Sequence, residues 1–300
     1  MKILFLGYSD IFKKKILPFL KKDKKIFCEM ASTKKINNKY FKKTYQSYDD
    51  AINNTSYKLV YISLINSLHY HYCKKALNNY KHVIVDKPLT LSSKDNLELI
   101  KIARKKKLLI LESTVFNYND RFSEFYKLIN FKKDIYVKAV FCIPKLNKYN
   151  FRNFKKNGGG CYNDMSSYAI KCIELFNKKK IKNLMFGKII KKQLIEKFKI
   201  SINQKDFIFD GKFEFNSEYK NFIKIKNDNN ILHLPYAFSQ PLNKNTYFMY
   251  NENKINFRYE NNFYTFLKNV KKVIKKNKFI KYYDELTKLS QIRKIIENKR

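Results

Sequence analysis

Short apolar runs alternate with stretches of helical periodicity along the first 130 residues of the chain. The apolar runs predict strands, and apolar residues three and four positions apart predict helices between them. Pro18 marks a kink or an end of the first helix, and Ser93 is a candidate N-cap of the third. Strands that alternate with helices imply βαβ units and a parallel sheet with right-handed crossovers. The predicted strands cover 3–6, 26–32, 59–64, 82–85 and 108–111, and the predicted helices cover 11–20, 69–77, 93–106 and 122–129.

The pattern changes after about residue 133. A longer apolar strand covers residues 135–143, and a helix over 161–176 follows a triplet of glycines. The runs KFKISI, DFIFDGKFEF, FIKIK and ILHL follow, separated by turn sequences such as NDNN, and they predict an antiparallel sheet. Two amphipathic helices come last, with apolar stripes over 263–274 and 286–296.

These patterns predict an α/β fold in two domains. Residues 1–120 are expected to form a doubly wound parallel sheet, and residues 121–300 an α+β domain with an open, mainly antiparallel sheet. The last helices could pack back on the first domain. A chain of 300 residues is long enough for two domains of ordinary size.

The sequence carries no signal for a membrane or for export. No apolar run reaches the ~18 residues that a membrane helix needs, and the apolar stretch in MKILFLGYSD is too short for the core of a signal peptide. We therefore expect a cytoplasmic protein without a membrane partner. The five cysteines form no C-x-x-C pair and the four histidines show no ligand spacing, so neither a disulfide framework nor a metal site is expected.

The formal net charge of +39 admits two interpretations. It can mark a nucleic-acid-binding surface, or it can reflect a bias towards residues that A/T-rich codons encode, since Lys, Asn and Ile are abundant and Trp is absent. The second is favoured, because the cations are mostly scattered lysines, and arginine is the better fork for guanine and phosphate oxygens. No specific nucleic-acid partner is expected, but the field should attract phosphorylated ligands.

The segment FLGYSDIF places a turn between the first strand and the first helix. Backbone N–H groups and the helix dipole at such a turn can bind a pyrophosphate. Of the usual G-x-G-x-x-G fingerprint only Gly7 remains, with Ser9 and Phe12 at the other glycine positions, so an ordinary strand-to-helix turn is an equal alternative. The candidate cofactor-binding residues here are Gly7, Tyr8, Ser9, Asp10 and Ile11.

The end of the second strand, EMASTKK, bears on the choice of cofactor. A chain that binds NAD usually has Asp or Glu there for the ribose 2′-hydroxyl. This chain has Ser32, Thr33 and Lys34, whose hydroxyls and cation suit a 2′-phosphate. NADP(H) is therefore favoured over NAD(H), the alternative being one more lysine pair in a lysine-rich chain.

Residues 60–92 contain a longer pattern in which two strand ends and a helix carry polar residues. The second of these strands leads to the sequence DKP. A lysine at the carboxyl end of a strand in a parallel sheet points into the crevice where ligands bind, and Pro88 restricts Lys87 to an extended backbone. The further cofactor-binding candidates are Leu64, Asn66, His69, Asp86 and Lys87.

This stretch resembles the glucose–fructose oxidoreductase/inositol dehydrogenase (Gfo/Idh/MocA) family. The family's hallmark is an E-K-P signature preceded by N-x-x-H and GKHV, which here read DKPL, NSLH and YKHV. The resemblance continues through LESTVFNYNDRF and reaches GGGCYNDMSSYAI, where the family has GGG-x-x-x-D-x-G-x-[HY]. It implies a Rossmann domain and an NAD(P)-dependent oxidoreductase acting on CH–OH or C=O groups.

The resemblance also implies roles for particular residues. Hydride would pass between nicotinamide and a carbon of a sugar or sugar derivative, with Tyr168 protonating the nascent alkoxide and Lys87 stabilising the phenolate and the developing oxyanion. Asp164 would bind a substrate hydroxyl. The glycine triplet would form the turn into the helix that faces the nicotinamide, where larger side chains would collide with cofactor or substrate. The substrate-binding residues would be Asn117, Asn163, Asp164 and Tyr168, and the catalytic ones Lys87, Asp164 and Tyr168.

The departures from the family pattern leave alternatives open. Ser9, Phe12 and Ser166 replace small residues of the family, and Asn117 stands where Arg is frequent. A non-catalytic dinucleotide- or sugar-binding regulatory protein on the same fold is therefore the second hypothesis. Within the family, the first turn looks most like that of ketoreductases acting on nucleotide-linked deoxysugars. A homo-oligomer is expected, because the open sheet commonly packs against a partner in this family.

Overall fold

The computed structural model describes residues 1–36 and 38–300 of the chain. They form two compact units, each built from segments that are distant in the sequence. The first unit comprises residues 1–113 and 263–290, and the second comprises residues 114–262 and 291–300. Each unit contains one sheet.

The first unit contains a six-stranded sheet in the order β3-β2-β1-β4-β5-β6. All neighbouring pairs are parallel, so the predicted doubly wound parallel sheet is confirmed. The strand order reverses between β1 and β4, and ligands bind such sheets outside the carboxyl ends of the strands at this point. The strands are β1 (Lys2–Leu6), β2 (Phe27–Ala31), β3 (Lys43–Tyr45), β4 (Leu59–Ile62), β5 (His82–Val85) and β6 (Ile110–Glu112).

Four helices connect these strands. A π-helical turn over Phe12–Ile16 leads into the first of them, and Pro18 lies in the first turn of that helix. A missing N–H is tolerated at this position, so Pro18 does not end the helix, which continues to Lys22. The helices are α1 (Leu17–Lys22), α2 (Tyr48–Asn54), α3 (His69–Asn78) and α4 (Ser93–Lys105).

The N-cap of α4 is one residue earlier than the sequence pattern predicts. The Ser92 side chain, not that of Ser93, accepts a hydrogen bond from the Asp95 N–H at 3.1 Å. Ser92 has an extended backbone with ψ of 150°, whereas Ser93 is already helical. The prediction that Ser93 caps this helix is therefore wrong by one position.

The second unit contains an eight-stranded sheet in the order β14-β13-β12-β11-β7-β10-β9-β8. The pair β7/β10 is parallel and the other neighbouring pairs are antiparallel, which confirms the mainly antiparallel sheet. The strands are β7 (Ile135–Cys142), β8 (Leu184–Lys191), β9 (Leu194–Gln204), β10 (Phe207–Glu214), β11 (Lys220–Asn227), β12 (Asn230–Pro235), β13 (Thr246–Tyr250) and β14 (Asn253–Phe257).

Two helices of the second unit position its polar residues. The first, α5 (Asp120–Lys127), is capped by the Asn119 side chain, which accepts from the Phe122 N–H at 2.7 Å. The second, α6 (Cys161–Phe176), packs on β7, β9 and β10 and is buried along most of its length. Its N-terminus therefore holds side chains in fixed positions.

The chain closes with α7 (Asn262–Lys276) and α8 (Ile280–Glu297), as the two apolar stripes predict. The Tyr283 hydroxyl of α8 donates to the Leu108 carbonyl oxygen at 2.7 Å, which ties this part of the helix to the strand β6 region of the first unit. Among the residues that the structure covers, no helix is long and apolar enough to cross a lipid bilayer.

Candidate functional site

Gly7 forms the turn at the carboxyl end of β1. Its backbone has a φ of +98°, and a Cβ there would lie 2.2 Å from the carbonyl oxygen of Ser63. The Gly7 N–H donates to the Ala31 carbonyl oxygen at 2.9 Å. Only glycine fits this turn, because both its conformation and the close approach of β4 exclude a side chain.

Ser9 and Phe12 replace two glycines of the fingerprint, and the fold accommodates both. The Ser9 hydroxyl accepts a hydrogen bond from the Phe12 N–H at 3.0 Å, so it caps the first helical turn. The Phe12 side chain is fully buried, with ring centroids 4.8 Å from Phe5 and 6.1 Å from Phe41. The bulk of Phe12 is therefore absorbed by the core. Of the other turn residues, Tyr8 is partly exposed, and Asp10 and Ile11 are exposed.

The carboxyl end of β2 is open to solvent. Ser32 is buried, and its hydroxyl accepts from the Lys34 N–H at 3.2 Å while its own N–H donates to the Tyr45 carbonyl oxygen at 3.0 Å. Thr33 and Lys34 are exposed. A hydroxyl and an ammonium on a turn fixed in this way fit the phosphate of a dinucleotide.

The acidic residue of β2 is committed to the fold. Glu29 is 7% exposed, and its carboxylate accepts hydrogen bonds from Thr55 Oγ1 at 2.6 Å and from the Tyr45 hydroxyl at 3.2 Å. Glu29 therefore does not take the place of the carboxylate that binds a ribose 2′-hydroxyl in NAD-specific domains.

Asp86 is the centre of a hydrogen-bonded cluster at the carboxyl ends of three strands. Its carboxylate accepts from Ser63 Oγ at 2.6 Å, from the Tyr61 hydroxyl at 2.9 Å and from Ser113 Oγ at 3.0 Å. Burial and the Asp86 charge hold the pKa of Tyr61 well above its usual value, so Tyr61 stays a donor. The next residue, Lys87, is partly exposed. The cluster fixes the backbone from which Lys87 projects.

His69 lies between two segments that follow strands at this edge of the sheet. It is fully buried, and its ring nitrogens lie 2.7 Å from the Pro88 carbonyl oxygen and 3.1 Å from that of Leu64. Burial lowers the pKa of His69, whereas the two carbonyl oxygens, which can only accept hydrogen bonds, oppose this shift. Asn66 is also buried. His69 therefore lies between the segments after β4 and β5, and its role in cofactor binding stays a prediction.

The glycine triplet forms a turn that closes on its own preceding segment. Gly158 and Gly160 have φ values of +71° and +96°, and a Cβ on Gly159 would lie 2.4 Å from the Arg152 carbonyl oxygen. That oxygen accepts from the Gly160 N–H at 2.8 Å. The space that the triplet leaves at Gly159 is therefore filled by the chain itself, whereas the sequence pattern suggested cofactor or substrate.

Arg152 also holds Asp164 near the start of α6. Its Nε lies 2.7 Å from Asp164 Oδ1, and the two side chains are 22% and 9% exposed. The guanidinium stacks over the Phe151 ring, 4.6 Å from its centroid. The predicted substrate-binding carboxylate is thus fixed by a charge-assisted hydrogen bond.

Tyr168 lies one helical turn beyond Asp164 in an aromatic environment. Its ring centroid is 5.2 Å from that of Phe238, 5.6 Å from Phe141 and 6.1 Å from Phe116, and the residue is partly exposed. The rings fix the orientation of the phenol. The convergence of Tyr168 and Asp164 with Lys87 stays a prediction.

The other two predicted substrate-binding residues, Asn117 and Asn163, each have a buried side-chain oxygen atom. The Asn163 side-chain N–H donates to the Gly159 carbonyl oxygen at 3.0 Å, which leaves its Oδ1 buried without a hydrogen-bond partner among the described residues. The Oδ1 of Asn117 is likewise buried without a hydrogen-bond partner among the described residues. Because both oxygen atoms are buried, hydrogen bonding of either residue to a substrate stays a prediction.

Sequence reasoning missed the residues that hold the others in place. Arg152 precedes the glycine triplet, and a cation before this motif was its only signal. Tyr61, Ser63 and Ser113 end strands that are separated in sequence, so only the register of the sheet brings them to Asp86. Within the part of the chain that the structure describes, no three His, Cys, Asp or Glu side chains are grouped to hold a metal ion.

The fold and the carboxyl edge of the first sheet define a nucleotide-binding Rossmann domain attached to a sheet-based second unit. Residues 1–113 match the model of the oxidoreductase family GFO_IDH_MocA with its NAD-binding Rossmann fold. The family resemblance recognised in the sequence is confirmed for these residues, which are 113 of the 300 in the chain.

Curated relatives match less than half of the chain. A dTDP-3,4-didehydro-2,6-dideoxy-alpha-D-glucose 3-reductase from Saccharopolyspora spinosa is 32% identical over 120 residues, which is 39% of this chain and 36% of the relative. A trans-1,2-dihydrobenzene-1,2-diol dehydrogenase from Xenopus laevis is 27% identical over 142 residues, 46% of this chain and 43% of the relative. The matched segments therefore span less than half the length of these relatives.

Solved structures share the fold over nearly the whole chain. A 3-ketoreductase from Actinomadura kijaniata, in complex with NADP and TDP-benzene, has a TM-score of 0.89 at 17% identity, covering 99% of this chain and 97% of that one. An aldose–aldose oxidoreductase from Caulobacter crescentus, complexed with glycerol, has a TM-score of 0.82 at 15% identity, covering 100% and 97%. These likenesses extend the shared fold to the second unit.

Proposed function

We propose that the chain is an NADP(H)-dependent oxidoreductase that reduces the carbonyl group of a nucleotide-linked keto-sugar. The observation that carries the proposal is the position of Lys87. This partly exposed ammonium follows β5 at the carboxyl edge of a parallel sheet, directly after a carboxylate that three hydroxyls hold in place. Ligands of such sheets bind at this edge.

The preference for NADP(H) over NAD(H) is supported by the end of β2. Thr33 and Lys34 are exposed there, and the nearest carboxylate on the strand, Glu29, is buried against Thr55 and Tyr45. An exposed cation and hydroxyl favour a 2′-phosphate, whereas a 2′-hydroxyl would need an acceptor.

The proposed mechanism assigns one task to each of three side chains. A nicotinamide cofactor held at the turn after β1 would supply the hydride for the carbonyl carbon. Lys87 stabilises the negative charge that develops on the carbonyl oxygen, and the Tyr168 hydroxyl gives that oxygen its proton. Asp164, held by Arg152, accepts a hydrogen bond from a sugar hydroxyl.

Two observations support a nucleotide-linked deoxysugar as the substrate class: the names of the relatives and the side chains around Tyr168 in this chain. The 3-reductases among the relatives act, by name, on dTDP-linked dideoxy sugars. In this chain the rings of Phe116, Phe141 and Phe238 surround Tyr168. An aromatic environment suits a sugar that lacks some of its hydroxyls, because fewer polar groups lose water on binding.

We also retain the predictions from the sequence on domains, location and partners. Residues 1–120 bind the cofactor and residues 121–300 bind the sugar and carry the oligomer interface. The protein is a cytoplasmic homo-oligomer without a membrane or specific nucleic-acid partner. Size-exclusion chromatography with light scattering measures the oligomeric state, and a monomer at micromolar concentration would contradict it.

The experiment begins with NADPH binding to the purified protein. Because the chain has no Trp, the fluorescence of bound NADPH can be followed with little interference from the protein. We expect binding at micromolar concentration and weaker binding of NADH. Oxidation of NADPH is then followed with dTDP-linked 3-keto-deoxysugars and with unlinked aldoses as substrates.

Lys87→Ala should lower turnover by at least a hundredfold, because the developing oxyanion loses its counter-charge. Lys94→Ala is the matched control, since Lys94 is an exposed lysine on α4 seven positions further on and should leave turnover unchanged. Full activity of the Lys87→Ala variant would remove Lys87 from the mechanism. NADPH binding without turnover on any of the substrates would favour the non-catalytic binding protein.

A further inference from the structure

A row of three hydroxyl and carboxyl side chains crosses the carboxyl edge of the first sheet. Ser9 Oγ, in the turn after β1, lies 2.6 Å from Ser63 Oγ at the end of β4. Ser63 Oγ lies 2.6 Å from Asp86 Oδ2 at the end of β5. The row therefore joins the fingerprint turn to the residue that precedes Lys87.

The direction of these hydrogen bonds is fixed by the carboxylate. Asp86 can only accept, so Ser63 donates to it, and Ser63 must then accept the hydrogen of Ser9. The remaining lone pairs of Ser9 accept the Phe12 N–H at 3.0 Å. All donors thus point towards Asp86, an arrangement in which each bond polarises the next.

We propose that Asp86 is a positioning residue that, through Ser63 and Ser9, sets the pyrophosphate-binding turn and the Lys87 segment in one fixed relation. This inference rests on the proposed function. Ser63 is 2% exposed and Asp86 is held on its other oxygen by Tyr61 and Ser113, so neither turn can move without breaking the row. Ser9 replaces a glycine at the position where the fingerprint needs close backbone approach, and the row holds its hydroxyl on Ser63.

If one network links the two turns, substitutions of Ser9 and Asp86 should have effects on cofactor affinity that depend on one another. Ser9 and Asp86 are linked through Ser63, so removing either side chain breaks the same row. Residues that act through one network give non-additive effects, whereas independent residues give additive ones. A hydrogen bond to a charged group is strong enough that each loss should be measurable in cofactor affinity.

The test is a double-mutant cycle on the dissociation constant of NADPH, measured by fluorescence. Ser9→Ala and Asp86→Ala should each raise it about tenfold, and the double variant should raise it no further than the larger single change. Ser63→Ala should have the same effect although Ser63 is too buried to touch a ligand. Ser63→Ala also replaces Asp86→Ala in the cycle if the latter does not fold.

Ser92→Ala is the control for a loss of stability alone, since Ser92 caps α4 and is outside the row. It should lower the melting temperature and leave NADPH affinity unchanged. Additive effects of Ser9→Ala and Asp86→Ala, or an unchanged affinity in Ser63→Ala, would overturn the inference. If the unmodified protein fails to bind NADPH, the proposed function fails instead, which separates the two outcomes.

Discussion

The ion pair between Arg152 and Asp164 shows how one side chain stabilises the charge and the position of another. A carboxylate that is 9% exposed loses much of its hydration, and the guanidinium at 2.7 Å offsets that loss. The pair also explains why the glycine triplet follows so closely on Arg152, because the Arg152 backbone needs the room that Gly159 leaves. The position of the Asp164 carboxylate therefore depends on a residue twelve positions earlier in the chain.

Arg152→Met should lower the free energy of unfolding by about 2 kcal/mol, because the Asp164 charge is left poorly hydrated and unpaired. Adding Asp164→Asn should recover most of this loss, since no charge then remains to be compensated. Urea denaturation of both variants and of Asp164→Asn alone measures the coupling. A double variant as unstable as Arg152→Met would show that Arg152 acts through its packing on Phe151 instead.

At the level of elements, the glycine turn before α6 offers a sharp test of why glycine is needed. Gly159→Ala places a Cβ 2.4 Å from a backbone oxygen that cannot yield cheaply. We expect a loss of about 2 kcal/mol in stability, as for other overpacked sites, together with a higher KM for the sugar substrate. The change moves the turn that carries Arg152 and the start of α6.

Gly187→Ala is the matched control for that substitution. Gly187 lies in β8, and a Cβ there would meet nothing within 4 Å. The change should be neutral or stabilising, because alanine loses less chain entropy on folding. Equal losses in the two variants would mean that the crowding at Gly159 is relieved by small movements, and the account of the turn would be wrong.

The sequence predicted the elements whose pattern reflects burial on both faces or on alternate faces. The apolar runs of β1, β4 and β5 are buried on both faces, as parallel strands between helices are. It missed β3, which has three partly or fully exposed residues, and α2, in which only Ala51 and Ile52 are buried. β8 and β14, whose residues are mostly exposed, were missed for the same lack of a pattern, and β13 was missed although Thr246 and Phe248 are buried at alternate positions.

In the candidate site, too, the sequence predicted some residues and missed others. Lys87, Asp164 and Tyr168 were found because short motifs in a fixed order mark them. Their partners were not, because Asp86 meets Ser63 and Ser113 across 23 and 27 residues of sequence through strand register alone. The candidate catalytic residues are therefore marked by local motifs, whereas the residues that hold this part of the structure in place are brought together only by the tertiary structure.

For the whole molecule, the net charge of +39 opposes folding by self-repulsion and attracts anionic ligands. Both effects act through solvent and shrink as the screening length falls from about 10 Å at 0.1 M salt to about 3 Å at 1 M. The two effects of salt should therefore run in opposite directions: the compact chain gains stability while the phosphorylated cofactor loses affinity.

We expect the melting temperature of the ligand-free protein to rise by several degrees between 0.05 and 0.5 M NaCl, and the dissociation constant of NADPH to rise over the same range. A melting temperature that falls with salt would mean that local ion pairs such as Lys74–Glu98 outweigh the net repulsion.

Binding to duplex DNA measured in parallel should weaken steeply with salt and be the same for unrelated sequences, because scattered lysines contact phosphates without reading bases. A sequence preference that survives 0.5 M NaCl would instead support the nucleic-acid-binding interpretation of the charge.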